Sequence, residues 1–270
     1  RSCAAPLPEK GRISAPAPSQ GYGFHQDIRY TEAMTDLSTL RFFRTPAHSC
    51  SYLEDRQAST LFVDPQAKLS PELYSELSLL GFRRSGDYLY RPHCEGCNAC
   101  IPARVRVADF QPRRRHRRIE KANRDLTVHR EPVRYTREFY NLYAAYIDQR
   151  HGDGDMYPPS EEQFTNFLTC DWADTHFYCF RRRGDLLAVA VTDQLADGLS
   201  AVYTFFDPTL AERSLGVMAL LWQIRQCHHL ELPYLYLGYW IDQCQKMAYK
   251  SQYQPLEILR SGAWKEFKKD

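Results

Sequence analysis

A mixed α/β fold of the α+β kind is predicted for this 270-residue chain by three observations. From about residue 175, three runs of apolar and aromatic residues are separated by turn signals, Arg183-Gly184-Asp185 and Ala196-Asp197-Gly198. A long apolar segment of helical spacing follows Asp207-Pro208, and strand-like and helix-like segments then alternate to the end. Runs bounded by glycine turns read as hairpins, whereas apolar residues three and four apart read as helices.

In chain order, "TLRFFRT" (39–45) reads as a strand. Ser70-Pro71 opens a helix with Leu73, Leu77 and Leu80 on one face and Gly81 as its stop. "DYLYR" (87–91) and "IPARVRV" (101–107) read as strands, with Val105 and Val107 on one face and Arg104 and Arg106 on the other. The basic segment 112–124, opened by Pro112, is helical, and 126–130 is strand-like. Thr136–Arg150 is an amphipathic helix carrying Phe139, Leu142, Tyr143, Tyr146 and Ile147. The glycine-rich 150–160 is a loop, and Ser160 with Gln163 makes a capping box for the next helix. Three strands follow between 175 and 206, then a helix over about 209–229, a strand at 234–240, a short helix at 243–250 and a last strand at "QPLEIL". Three antiparallel strands, helix, strand, helix, strand is the order of an acetyltransferase-like (GNAT) mixed sheet. The expected organisation is a disordered leader (1–33), a smaller cysteine-containing N-terminal domain (34–134) and a transferase domain (135–270). The leader holds four prolines and precedes Met34, the first methionine, so it is either disordered or upstream of the natural start.

Composition excludes several classes. Hydrophobic residues at 43% and charged residues at 25% are ordinary for a globular protein, and no apolar run has the length needed to cross a bilayer. A net charge of +2 sets up no strong global field, so a nucleic acid would be held by a local basic patch. Nine cysteines, an odd number without an export signal, point to reduced thiols or a metal site and to the cytoplasm.

The central helix carries Arg213-x-x-Gly216 at its entrance, a spacing that suits backbone approach to a pyrophosphate at the positive end of a helix. Met218 stands where a small residue would be needed for coenzyme A. A buried helix with one glycine for packing is the plainer reading. Lys246 and Lys250, four apart beside several aromatic rings, suit a phosphate and a nucleobase; a solvated face over core aromatics is the alternative.

Five segments together resemble one known family: "RFFRTPAHSCSYLEDRQASTLFVDP", "LYRPHCEGCNACIPARV", "RHGDGDM", "YTFFDPTLAERSLG" and "LYLGYWIDQCQKMAYK". They are similar to the bacterial aminoacyl-tRNA–protein transferases, in the aspartate/glutamate leucyltransferase branch, from about Met34 onward. The resemblance implies an acetyltransferase-like fold used without coenzyme A. It also implies transfer of leucine from charged tRNA to the α-amine of proteins that begin with Asp or Glu, creating a degradation signal. No cofactor is required for such a transfer, and no membrane is involved. Three alternatives stay open on sequence: arginyl transfer within the family, a coenzyme A-dependent N-acetyltransferase, and a non-catalytic tRNA-binding module.

For that chemistry, Asp207 just beyond a strand end is a candidate to hold or deprotonate the incoming amine, and Tyr203 to donate to the oxyanion or leaving hydroxyl. The alternatives are a turn cap for Asp207 and a packed strand tyrosine for Tyr203. An acidic acceptor calls for a cation, and Arg44, Arg56, Arg150 and His151 are the candidates. Arg113, Arg114, Arg115, Arg117 and Arg118 open a stretch to Arg134 with eight arginines and one lysine against three acids, a candidate tRNA surface beside Arg213, Gly216, Lys246 and Lys250. Cys94, Cys97 and Cys100, with Cys50 as a fourth ligand, have spacing that suits zinc or an iron–sulfur cluster. Eukaryotic relatives carry a metal-binding cysteine set with Cys-x-x-Cys in the earlier motif; here it reads Cys50-Ser-Tyr-Leu53, so one cysteine is missing. Cys170, Cys179, Cys227 and Cys244 lie in apolar segments and read as core residues.

Overall fold

The computed structural model describes residues 37–268, so the expected leader lies outside the described residues. The first strands form a small antiparallel sheet. It is built from β1 (Phe42–Arg44), β4 (Thr60–Val63), β5 (Arg83–Ser85) and β6 (Tyr88–Pro92) in the order β1-β4-β6-β5. A separate two-stranded ribbon of β2 (His48–Ser49) and β3 (Gln57–Ala58) precedes β4. Helix α1 (Pro71–Leu79) starts where expected: the Ser70 hydroxyl accepts from the Leu73 amide, and Pro71 occupies the first turn. Leu73 and Leu77 are buried, but Leu80 is half exposed because the helix has already ended.

The main sheet has eight strands in the order β14-β13-β7-β12-β11-β10-β9-β8. Its antiparallel side is β8 (Thr127–Glu131), β9 (Thr175–Arg182), β10 (Asp185–Leu195) and β11 (Gly198–Phe206). Strand β12 (Tyr234–Trp240) joins β11 in parallel, and β7 (Ile101–Arg106) lies between β12 and β13 (Leu256–Arg260), antiparallel to both. β14 (Ala263–Glu266) closes a C-terminal hairpin that the sequence pattern does not announce. A strand from the first half of the chain therefore sits inside the sheet of the second half. Val105 is fully buried there, while Arg104 is covered on the opposite face by Glu257 and by the rings of Tyr234 and Trp264.

One face of the sheet carries α5 (Leu215–His229) and α2 (Arg114–Ala122); α3 (Arg137–Arg150) and α4 (Glu161–Leu168) pack on the other. Thr136 and Ser160 cap α3 and α4 through the amides three residues on. The expectation of one helix over about 209–229 is corrected. A 3-10 turn at Ala211–Arg213 comes first, Ser214 adopts a left-handed backbone (φ 50°), and α5 begins at Leu215. The basic helix likewise begins at Arg114, two residues after Pro112. Helix α6 (Gln245–Ala248) is short and passes into a 3-10 turn over Tyr249–Gln252. Among the described residues no helix is long and apolar enough to cross a membrane.

Candidate active site between the parted strands

Strands β11 and β12 pair only over Gly198–Ser200 and Tyr234–Tyr236, and then separate. The separation is built into β12. Gly238 has φ +75°, a left-handed backbone that favours glycine, and the register against β7 shifts between Tyr236 and Gly238. The opening leaves a cavity of about 90 Å³ lined by Ser200 and Val202 from β11 and Gly238 and Tyr239 from β12. Tyr52, Arg83, Arg84, Tyr90, Met247 and Lys250 complete its wall.

Beside two of the cavity's wall residues, Tyr52 and Met247, the chain neighbours Ser51 and Lys246 hold the loop that follows α3. The loop after α3 is held on one side by Ser51 Oγ, which donates to Asp155 Oδ2 at 3.1 Å. It is held on another by Lys246, whose ammonium lies 3.6 Å from Asp153. On a third, the Tyr203 hydroxyl donates to the Met156 sulfur at 3.7 Å. His151 stands in the same loop, its Nε2 3.4 Å from the Tyr146 hydroxyl. Burial, and after it the neighbouring Lys246, hold the His151 imidazole below its ordinary pKa. Tyr203, His151 and Lys246 are thus gathered around this loop, while Lys250 lines the cavity itself.

Lys250 does not lie on a solvated face. It is buried, and its ammonium donates to the Tyr239 carbonyl at 2.5 Å beside the Met247 sulfur. That bond fastens the turn after α6 to the parted strand.

The remaining predicted residues lie elsewhere. Asp207 follows β11, and its Oδ1 accepts from the Thr209 amide at 2.9 Å and hydroxyl at 2.6 Å, as in an Asx turn. Arg213 is buried and committed inside the protein: Nε donates to Asn123 and the Nη groups to Asp125 and the Ala122 carbonyl. It ties the end of α2 to the entrance of α5 and holds the Asp125 carboxyl below its usual range. Gly216 faces Phe206; a Cβ there would stand 3.1 Å from the ring, so the ring occupies the space beside the helix entrance. Met218 is buried among Ile119, Leu187 and Ala219.

Arg44 is on the edge strand β1, with Nε donating to Ser59 and Nη2 3.9 Å from Glu95. Arg56 is exposed in the β2–β3 turn, and Arg150 is exposed at the end of α3. Arg113, Arg114, Arg115, Arg117 and Arg118 are all exposed. Their helix is anchored from beneath by His116 and Ile119, with the rings of His116, Phe110 and Tyr253 in mutual contact as a three-ring cluster. Arg115 reaches Gln252, two residues beyond Lys250, so the basic helix adjoins the cavity wall.

Cys50, Cys94, Cys97 and Cys100 are half-buried free thiols. Burial, reinforced by Cys94, Cys50, Cys97 and Cys244, pushes the Cys100 thiol up to about 12. Cys179 and Cys227 are core residues as expected, whereas Cys170 and Cys244 are only half buried. Among the described residues no group of three or more His, Cys, Asp or Glu side chains is placed so that it could hold a metal ion.

Two family models match the chain, arginine-tRNA-protein transferase N terminus over residues 48–118 and C terminus over residues 138–260. The chain is 86% identical over 233 residues to the aspartate/glutamate leucyltransferase of Alcanivorax borkumensis, covering 86% of this chain and 96% of that protein. It is 54% identical over 237 residues to the protein of the same name from Marinobacter nauticus, covering 88% of this chain and 100% of the other. Among solved structures, that of L-PGS from Bacillus licheniformis is similar with a TM-score of 0.41 and 12% identity, over 74% of this chain and 68% of that one.

Proposed function

The chain belongs to the arginine-tRNA-protein transferase family, in the group of the aspartate/glutamate leucyltransferases, and on that premise we propose that it moves leucine from leucyl-tRNA to the α-amine of proteins beginning with Asp or Glu. The amine nitrogen attacks the ester carbonyl of the aminoacyl-tRNA. A C–N bond forms, the ester C–O bond breaks, and the proton lost by the amine leaves with the ribose hydroxyl. An α-amine has a pKa near ~7.8, so roughly a tenth to a fifth is already neutral at pH 7. Supplying the neutral nucleophile costs about 1 kcal/mol, and bringing the two substrates together is the larger task.

The observation that supports this reading best is the hydrogen bond between Arg115 and Gln252. It joins an exposed arginine helix, suited to a phosphate backbone, to the turn that carries Lys250 into the wall of the cavity. The tRNA body is assigned to α2, and the charged 3′ end to the region where the loop after α3 meets α6 through Asp153 and Lys246. Coenzyme A fits poorly, because Phe206 covers Gly216 and Arg213 is spent on Asp125 and Asn123.

The test is to mix the protein separately with leucyl-tRNA, arginyl-tRNA and acetyl-coenzyme A, with peptides beginning with Asp, Glu, Arg or Ala, and to weigh the products. Addition of one leucyl residue to the Asp and Glu peptides alone is expected. Acetylation, or no addition, overturns the reading.

A further inference from the structure

Strand β5 buries two consecutive arginines, and they are treated differently. Arg84 has its charge answered: Nε donates to Asp193 Oδ2 at 2.6 Å and Nη2 to Oδ1 at 2.8 Å, while Nη1 bonds the Gly86 carbonyl. Arg83 is 5% exposed and uses only Nη1, which donates to the carbonyls of Phe82 at 2.6 Å and Ser78 at 3.3 Å. Its Nε and Nη2 are buried without a hydrogen-bond partner among the described residues.

An uncompensated buried guanidinium is strongly unfavourable unless something completes it. The rings of Tyr236 and Tyr239, with centroids 5.2 and 5.9 Å away, orient the cation but offer no acceptor of comparable strength. Nε and Nη2 form one edge of the guanidinium, the fork that takes a carboxylate side-on. Arg84 uses that same edge on Asp193. In Arg83 the edge is unpaired, and the residue lines the cavity between the parted strands. At about 90 Å³ the cavity is on the scale of a side chain and well below the ~300 Å³ or more of nucleotide-sized ligand sites.

We propose that the unpaired edge of Arg83 seats the side-chain carboxylate of the acceptor's N-terminal Asp or Glu within the cavity between β11 and β12. This deepens the reading above and rests on it for the identity of the acceptor. It replaces Arg44, Arg56, Arg150 and His151 in that role, because none of them lines the cavity. A neutral Asn or Gln at the acceptor terminus leaves the buried cation unanswered, so selection against amides follows from the same geometry.

Two measurements on the full chain test it. In the first, leucine transfer is followed with R83Q, R83K and the unaltered protein, using peptides that begin with Asp or Asn. R83Q is expected to raise KM for the Asp peptide by about 30-fold or more and to erase the preference over Asn, with KM for leucyl-tRNA unchanged within about twofold. R83K keeps the charge without the fork and is expected to fall between. In the second, binding of the Asp peptide is measured without tRNA. Loss of binding in R83Q, and partial loss in R83K should R83Q fail to fold, supports the site. Unaltered peptide affinity in a folded variant, equal losses for peptide and tRNA, or no peptide binding by the unaltered protein overturns it. If the unaltered protein binds the Asp peptide through Arg83 but transfers no leucine, the parent reading fails and the carboxylate site stands.

Discussion

Arg84 and Asp193 form a side-on ion pair with no exposed side-chain surface on either partner, 109 residues apart in sequence. Tyr74 and Thr175 donate to the same carboxylate, at 3.0 and 2.8 Å. The pair therefore bonds the small sheet, α1 and the main sheet at one point. Removing one partner leaves a buried charge unanswered. D193N is expected to lower unfolding free energy by about 3–5 kcal/mol, read by urea titration, and the double variant R84M/D193L to recover most of it.

The arginines of α2 face solvent, so their substitution should leave the fold intact. Replacing Arg114, Arg117 and Arg118 together with alanine is expected to weaken tRNA binding without changing the affinity for an Asp peptide. The slope of log affinity against log salt should become shallower by about 0.7–0.9 for each phosphate that is no longer neutralised. Fluorescence anisotropy across a salt series measures it, and an unchanged slope would remove the helix from the tRNA surface.

Asp207 has its Oδ1 bound by Thr209, and asparagine keeps an acceptor in that position. D207N is therefore expected to retain stability and kcat within about threefold, while D207A lowers stability by about 1 kcal/mol through loss of the turn. A hundredfold fall in kcat for a folded D207N would instead make the charge itself part of the chemistry.

His116 and His176 are buried, and burial holds both imidazoles below their ordinary pKa; Arg113 and Arg115 act in the same direction on His116. The unfolded chain binds these protons first. Their contribution to stability is therefore complete above about pH 6.5 and is lost as pH falls from there toward the folded values. Tm is expected to be level between about pH 7 and 8 and to decline below about 6.5. His116→Phe, which keeps a ring against Phe110 and Tyr253, should make that decline shallower.

Much of the C-terminal half is legible because its signals are local. The Arg183-Gly184-Asp185 turn joins β9 to β10, and β12 spans the 234–240 expected from its apolar run. The start of α5 is not legible, because 209–214 has helical composition but is broken by the left-handed Ser214. The insertion of β7 cannot be read locally, since both its partners lie far along the chain. The family motifs mark the right neighbourhood, and Ser51–Asp155 and Asp153–Lys246 explain why those segments belong together. Arg83 escapes a reading by motif because two adjacent arginines look like surface. The signal available is their setting, "GFRRSG", where apolar and small residues flank the pair with no acid beside it. Lys250, read from its spacing as a partner of Lys246 for a phosphate, is buried on the Tyr239 carbonyl instead, because spacing reports which residues share a side and not whether that side is wet.

The central position of β7 also bears on how the protein is made. Both edges of that strand are paired by segments translated more than a hundred residues later. Neither edge can be covered until β12 or β13 has been made and has left the ribosome. Until then a ribbon with a buried-type face and two unmet rows of amides stands open to other chains, so slow translation or a stop before β12 would leave a species prone to self-association.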